Sequence, residues 1–150
     1  MSDFSTSLFE MAGGAAKIRA LVTAFYPRVA QNAELSLLFP DDFTEIMEKQ
    51  YLFLTQFLGG PPLYSERYGS PMLRARHLPH PITPAHAKAW LDCMDEAMEE
   101  VDIREPIRSI MKERFTRAAY HMVNLEDNGE SHVKPGTAYS QKQEGLLKLD

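Results

Sequence analysis

The chain has 150 residues, enough for one domain with a sizeable core, and its 44% hydrophobic and 25% charged content is that of an ordinary globular protein. A formal net charge of −5 argues against general affinity for nucleic acid or an anionic membrane, and no apolar run approaches the roughly 20 residues of a membrane span. Cys93 is the single cysteine, so no intrachain disulfide is possible, and the opening stretch MSDFSTSLFEM does not read as a signal peptide; both favour the cytoplasm.

Residues 5–12 have the pattern of one or two helical turns, stopped by Gly13-Gly14. From Ala15 to about Ala30, Ile18, Leu21, Val22, Phe25 and Val29 recur at helical spacing, with Tyr26 on the shoulder of their stripe. Pro27 predicts a kink at Tyr26 or an early end there, because a proline inside a helix removes a hydrogen bond and clashes with the carbonyl of Thr23. A short segment with Leu35, Leu37, Leu38 and Phe39 closes at Pro40. Asp42 followed by Glu45 looks like a capping box, opening a helix with Ile46, Met47, Phe53, Leu54 and Phe57 on one face. Gln50 falls in the middle of that face. It needs a hydrogen-bonding partner or a polar ligand, since unpaired burial costs about 1–3 kcal/mol.

The stretch Gly59–Ile82 holds three of the eight glycines and five of the ten prolines and keeps no helical period. Its Leu63, Tyr64, Tyr68, Met72, Leu73 and Leu78 are too many large apolar groups for a solvated linker, so it reads as a loop wrapped around something. Thr83-Pro84 then starts a helix with Ala87, Trp90, Leu91, Met94, Met98 and Val101 inward and Asp92, Glu96, Glu99 and Glu100 outward. A last helix begins at Pro106, uses Ile107, Ile110, Met111, Phe115, Ala118 and Met122, and is expected to end near Asn124–Asp127. The reading is an all-α domain over residues 1–128, with four substantial helices in two consecutive pairs. A polar, disordered tail over 129–150 follows.

Five histidines occur, at 77, 80, 86, 121 and 132. A lone histidine is more often packed or at the surface than a ligand. His77 stands out because Pro79 and Pro81 stiffen the chain beyond it, which lowers the entropy of fixing its ring. Leu73 and Leu78 would lie against a flat apolar ligand, and Arg74 and Arg76 would reach carboxylates at its edge. The plainer alternative for the arginines is a solvated basic turn. Zinc fits poorly: His77-x-x-His80, even with His86, lacks a cysteine pair or an HExxH glutamate. Cys93 has no basic context for a thiolate nucleophile, and no phosphate-binding glycine loop or GxSxG is present.

Phe25-Tyr26-Pro27-Arg28-Val29, Leu38-Phe39-Pro40, Phe53-Leu54-x-Gln56-Phe57-Leu58-Gly59-Gly60-Pro61, Met72-Leu73-Arg74-x-Arg76-His77-x-Pro79 and Ala89-Trp90-Leu91-x-Cys93-Met94 follow in that order. Together they resemble the truncated haemoglobins of the second group, over roughly Phe4 to Leu125. The resemblance implies a truncated globin fold in which two antiparallel helix pairs sandwich haem b, with His77 on the iron. It implies Tyr26, Gln50 and Trp90 as distal polar groups, Ile46 at the gate and Phe39 packed on the haem. Lys49, Tyr64 and Arg76 match positions that meet the haem propionates, and Phe53, Leu54, Leu73 and Met94 the pocket wall. Phe39 stands where family members often have tyrosine, which removes one distal hydroxyl. Ile46 stands where many globins place a histidine and cannot hydrogen-bond a ligand. The implied ligands are dioxygen, nitric oxide and carbon monoxide, held tightly and released slowly. A redox reading, peroxide reduction or nitric oxide dioxygenation, would use the same pocket and a separate reductase. A third reading is a cofactor-free helical interaction module.

Overall fold

The computed structural model of the chain describes residues 6–72, 75 and 81–125. Helix α1 is Leu8–Ala12. The Ser7 hydroxyl accepts from the Glu10 N–H (3.1 Å) and the Glu10 carboxylate accepts from the Ser7 N–H (3.4 Å), so both ends of a capping box are closed. Gly13, at φ 126°, stops the helix in a conformation that favours glycine. Phe9 N–H donates to the Leu58 carbonyl (2.8 Å), docking α1 on the end of α3, Thr44–Phe57. A Cβ at Gly60 would lie 2.8 Å from the Phe9 ring and 2.9 Å from the Thr55 carbonyl oxygen, so only glycine permits this approach.

Helix α2, Gly14–Gln31, runs through Pro27 as the helical spacing to Ala30 predicts, and the alternative of an early end at Tyr26 does not occur. The proline ring points to solvent, whereas Val29, two residues on, is fully buried. Burying a valine contributes about 1.5–3 kcal/mol, comparable to the ~3 kcal/mol a helical proline costs. Arg28 adds a second anchor. Its guanidinium donates to the Ala24 carbonyl (2.9 Å) and pairs with Glu100 (2.5 Å) and Glu96 (3.4 Å) on α5, Pro84–Glu100.

A 3-10 turn at Ser36–Leu38 leads toward α3. Asp42 is not the cap of α3: the capping position is Phe43, without a side-chain bond. The Asp42 carboxylate instead accepts from the Thr44 N–H (2.9 Å), a local turn that competes with the capping box and holds its pKa below the usual value.

The stretch Gly59–Ile82 is not helix-free, since α4 occupies Leu63–Tyr68. Six residues are too few to hold a helix alone. Tertiary bonds hold this one: Gln56 Nε2 donates to Ser65 Oγ (2.7 Å) and the Ser65 N–H donates to Gln56 Oε1 (2.8 Å). Tyr64 is buried against Phe53, with ring centroids 5.9 Å apart.

Thr83 caps α5 as expected, with Pro84 at its start. The reciprocal partner is His86, whose Nδ1 accepts from the Thr83 N–H (3.1 Å). Helix α6, Ile107–His121, is tied to α5 by Arg108, which bonds the Asp95 carboxylate (3.1 Å) and carbonyl (3.2 Å) and pairs with Glu99. It stops short of Asn124–Asp127 because Asn124 is used otherwise. The buried Asn124 side chain accepts from the Ile82 N–H (2.9 Å), and the Asn124 and Leu125 N–H groups donate to the Ile82 carbonyl. The tail expected over 129–150 lies outside the described residues.

The four long helices pack as two consecutive pairs, α2 with α3 and α5 with α6, and α2 also lies on α5, so the pairs share one core. Helix α1 bridges α2 and α6. No helix among the described residues is long and apolar enough to cross a membrane. The Asn124–Ile82 closure makes a prediction. Asn124→Ala strips the Ile82 N–H of its acceptor and should destabilise the fold by about 1–3 kcal/mol, read as a lower urea midpoint at unchanged slope; an unmoved midpoint would show the closure to be dispensable.

Candidate functional site

Helical spacing on α3 places Ile46, Gln50 and Leu54 one above another on a single face. All three are buried, Gln50 to 2% exposure. Its Oε1 has no hydrogen-bond partner among the described residues. An unpaired amide oxygen in a close-packed apolar core is costly, and its retention points to a polar ligand. Thr55 Oγ1 shares that condition, but on another side of the helix.

Facing α3 across the core are aromatic groups of α2 and α5. The ring of Phe25 meets Tyr26 edge-on (4.9 Å, 82°) and Trp90 edge-on (5.4 Å, 64°), so both predicted distal aromatics touch one phenyl group. Tyr26, expected on the shoulder of its stripe, is wholly buried and also packs against Phe43 (5.2 Å) and Phe39 (6.1 Å). Trp90 is half-buried rather than fully inside, and Met94, one turn on, is buried. Tyr26, Phe39, Ile46, Leu54 and Met94 belong to one continuous core, with Phe53 and Trp90 packed against it.

Lys49 is buried, with its ammonium 5.0 Å from the centre of the Tyr68 ring. Tyr64 is also buried, with the same Tyr68 ring 5.0 Å away, so the two predicted propionate partners flank one tyrosine. Leu73, Arg76 and His77, the predicted wall, propionate and iron residues of the loop, lie outside the described residues.

A cavity of about 1180 Å³ opens between the second half of α3, the residues Pro71, Met72 and Ala75, and α6. Phe53, Phe57, Met72, Ile110 and Met122 form apolar walls, while Arg114, His121 and the Arg117–Glu113 ion pair supply polar and charged groups. Ala75, two residues before His77, is on its lining. The volume slightly exceeds the roughly 300–1,000 Å³ of ordinary small-molecule pockets. Apolar walls with arginines among them are compatible with a large flat group bearing carboxylates. Among the described residues assigned to the haem from the sequence, Phe53 is the one that lines this cavity. Sequence reasoning treated Phe25, Phe57, Phe115 and the α6 residues Ile110, Ala118 and Met122 as stripe or motif residues and passed over Phe43, Arg114 and Arg117. A usable signal was Ile110, an apolar residue that is 39% exposed and faces the cavity.

Other chemistry finds no support. Burial, then the nearby Glu96 and Asp92, push the Cys93 thiol up to about 11, the opposite of a reactive thiolate. His86 is occupied at the α5 cap, and the described residues hold no group of three or more His, Cys, Asp or Glu able to bind a metal.

Residues 7–124, which include every described helix, match the family model for bacterial-like globins. The chain is 55% identical over 104 residues to a group 2 truncated haemoglobin of Bacillus subtilis, covering 69% of this chain and 79% of that one. The crystal structure of the group II truncated haemoglobin from Bacillus anthracis is similar at a TM-score of 0.80 and 47% identity, covering 87% of this chain and 96% of that one. The X-ray structure of a truncated oxygen-avid haemoglobin from Bacillus subtilis gives 0.77 and 50%, over 79% of this chain and 100% of that one. On its sequence, its all-α fold and its core aromatic cluster, the chain belongs to the bacterial-like globin family as a group II truncated haemoglobin, a haem-binding globin.

Proposed function

We propose that this globin holds haem b through His77 and uses it to bind dioxygen, nitric oxide or carbon monoxide reversibly, with tight binding and slow release of dioxygen. The observation that supports this most is Gln50, a buried amide whose oxygen has no partner, set between Ile46 and Leu54. Haem supplies an iron with one coordination position open to a diatomic ligand. His77 would hold that iron as a neutral imidazole, with its second nitrogen donating to a carbonyl or water that sets the ring.

Tyr26, Gln50 and Trp90 provide the polar groups for the ligand. The Trp90 indole can only donate, the Tyr26 hydroxyl can donate or accept, and the Gln50 amide offers both. Toward a dioxygen carrying partial negative charge, each charge-assisted hydrogen bond from these groups would contribute about 1.5–3 kcal/mol and would slow release roughly ten- to a hundredfold. Ile46, fully buried one turn before Gln50, brings no polar group and narrows entry along that face. Phe39 packs against Tyr26 and adds no hydroxyl. Arg76 and Lys49 are the proposed partners of the haem carboxylates, with Tyr64 packed beside Lys49's neighbour Tyr68. Phe53, Leu54, Leu73 and Met94 serve as apolar wall. A cytoplasmic location belongs to the same reading, supported by the single, buried cysteine.

Three outcomes follow from these roles. Trp90→Phe should speed oxygen release by roughly tenfold or more, measured by stopped flow; an unchanged rate removes Trp90 from the donor set. Gln50→Leu removes a buried amide oxygen that has no partner among the described residues, so the haem-free chain should gain about 1 kcal/mol or more while oxygen leaves faster. A chain that loses stability with release unaltered would make Gln50 a structural amide. His77→Gly should lose the wild-type Soret spectrum and recover a haem spectrum with added imidazole, whereas a wild-type spectrum without imidazole would unseat His77.

A further inference from the structure

The Trp90 indole makes no side-chain hydrogen bond among the described residues, and it is packed against the core and between two rings. Phe25 meets the indole from α2 (5.4 Å, 64°), and Phe115 meets it edge-on from α6 (5.7 Å, 78°). Phe115 is 2% exposed and is itself backed by Phe57 of α3, stacked at 5.8 Å and 10°. The helix carrying Phe115 is locked to the helix carrying Trp90 by Arg108, through Asp95 and Glu99. We propose that Phe115 is a positioning residue for ligand release: it clamps the Trp90 indole so that its N–H stays aimed at the ligand.

The physical reason is directional. A hydrogen bond weakens steeply once its angle falls below about 120°, so a donor that rocks loses strength without leaving the pocket. Indole has no second polar group to correct its aim. Phe25 cannot be tested cleanly because it also touches Tyr26, whereas the ring contacts of Phe115 are Trp90 and Phe57 alone among the described residues. This inference rests on Trp90 acting as a donor, and the experiment separates the two ideas.

The full-length Phe115→Leu protein is loaded with haem and carbon monoxide, a diamagnetic form suited to NMR. Trp90 is the sole tryptophan, so its indole N–H gives a single, unmistakable resonance. The clamp predicts that this line broadens or splits in Phe115→Leu while most backbone amide resonances stay in place. Oxygen release should quicken roughly two- to tenfold, the value of one edge-to-face ring pair. In a Trp90→Phe background the same substitution should add nothing to the rate, since the clamped donor is gone. A sharp, unshifted indole line overturns the clamp, as does a rate effect that persists in the Trp90→Phe background. An indole line that broadens with no change in release keeps the clamp but overturns its role in release; if Trp90→Phe is also silent, the donor role of Trp90 has failed. Phe115→Met, closer to phenylalanine in volume, is read the same way if Phe115→Leu does not fold.

Discussion

The contact on which the rest of the structure depends is the one between α2 and α5, made at its centre by Phe25 and Trp90. Each helix pair could form locally, and this crossing is the main contact that turns two hairpin-like units into one core. Because Phe25 touches Tyr26 and Trp90 together, the packing that stabilises the fold also sets the two proposed ligand-facing groups at a common place. Mutations along this seam will therefore rarely affect stability and ligand binding separately.

Polar groups inside the core are treated in two ways. Asn124 is satisfied, tying the end of α6 to the start of α5 and closing the second helix pair at its base. Gln50 Oε1 has no partner among the described residues, on the face where α3 meets that core. The first amide serves the architecture, and the second is the one proposed for the ligand. Unsatisfied buried groups are rare in native proteins, which is why Gln50 is singled out.

The surface charges have a supporting part. Arg28 and Arg108 fix α2 and α6 to α5 through Glu96, Glu100, Asp95 and Glu99. These pairs are partly exposed and individually modest. Their use is in register, holding three helices at the angles that bring Phe25, Trp90 and Phe115 into contact. The acidic face of α5, read from the sequence as solvated, is in part this set of anchors.

Much of this was legible in the residues alone. Apolar periodicity located the four long helices, Thr83-Pro84 and Gly13 marked real boundaries, and Gln50 announced itself by interrupting a stripe. The ordered motifs from Phe25 to Met94 pointed to the globin family, which the comparisons bear out. What escaped was whatever depends on partners distant in sequence. The early end left open at Pro27 is decided against by buried Val29 and by Arg28, anchored on α5. Helix α4 forms because Gln56 holds Ser65, and Asp42 fails as a cap because Thr44 captures it. Local propensity is encoded residue by residue, so the sequence by itself determined the helices and the polar candidates. The ring-to-ring geometry around Trp90 arises only when three helices meet, and that was decided by the tertiary structure.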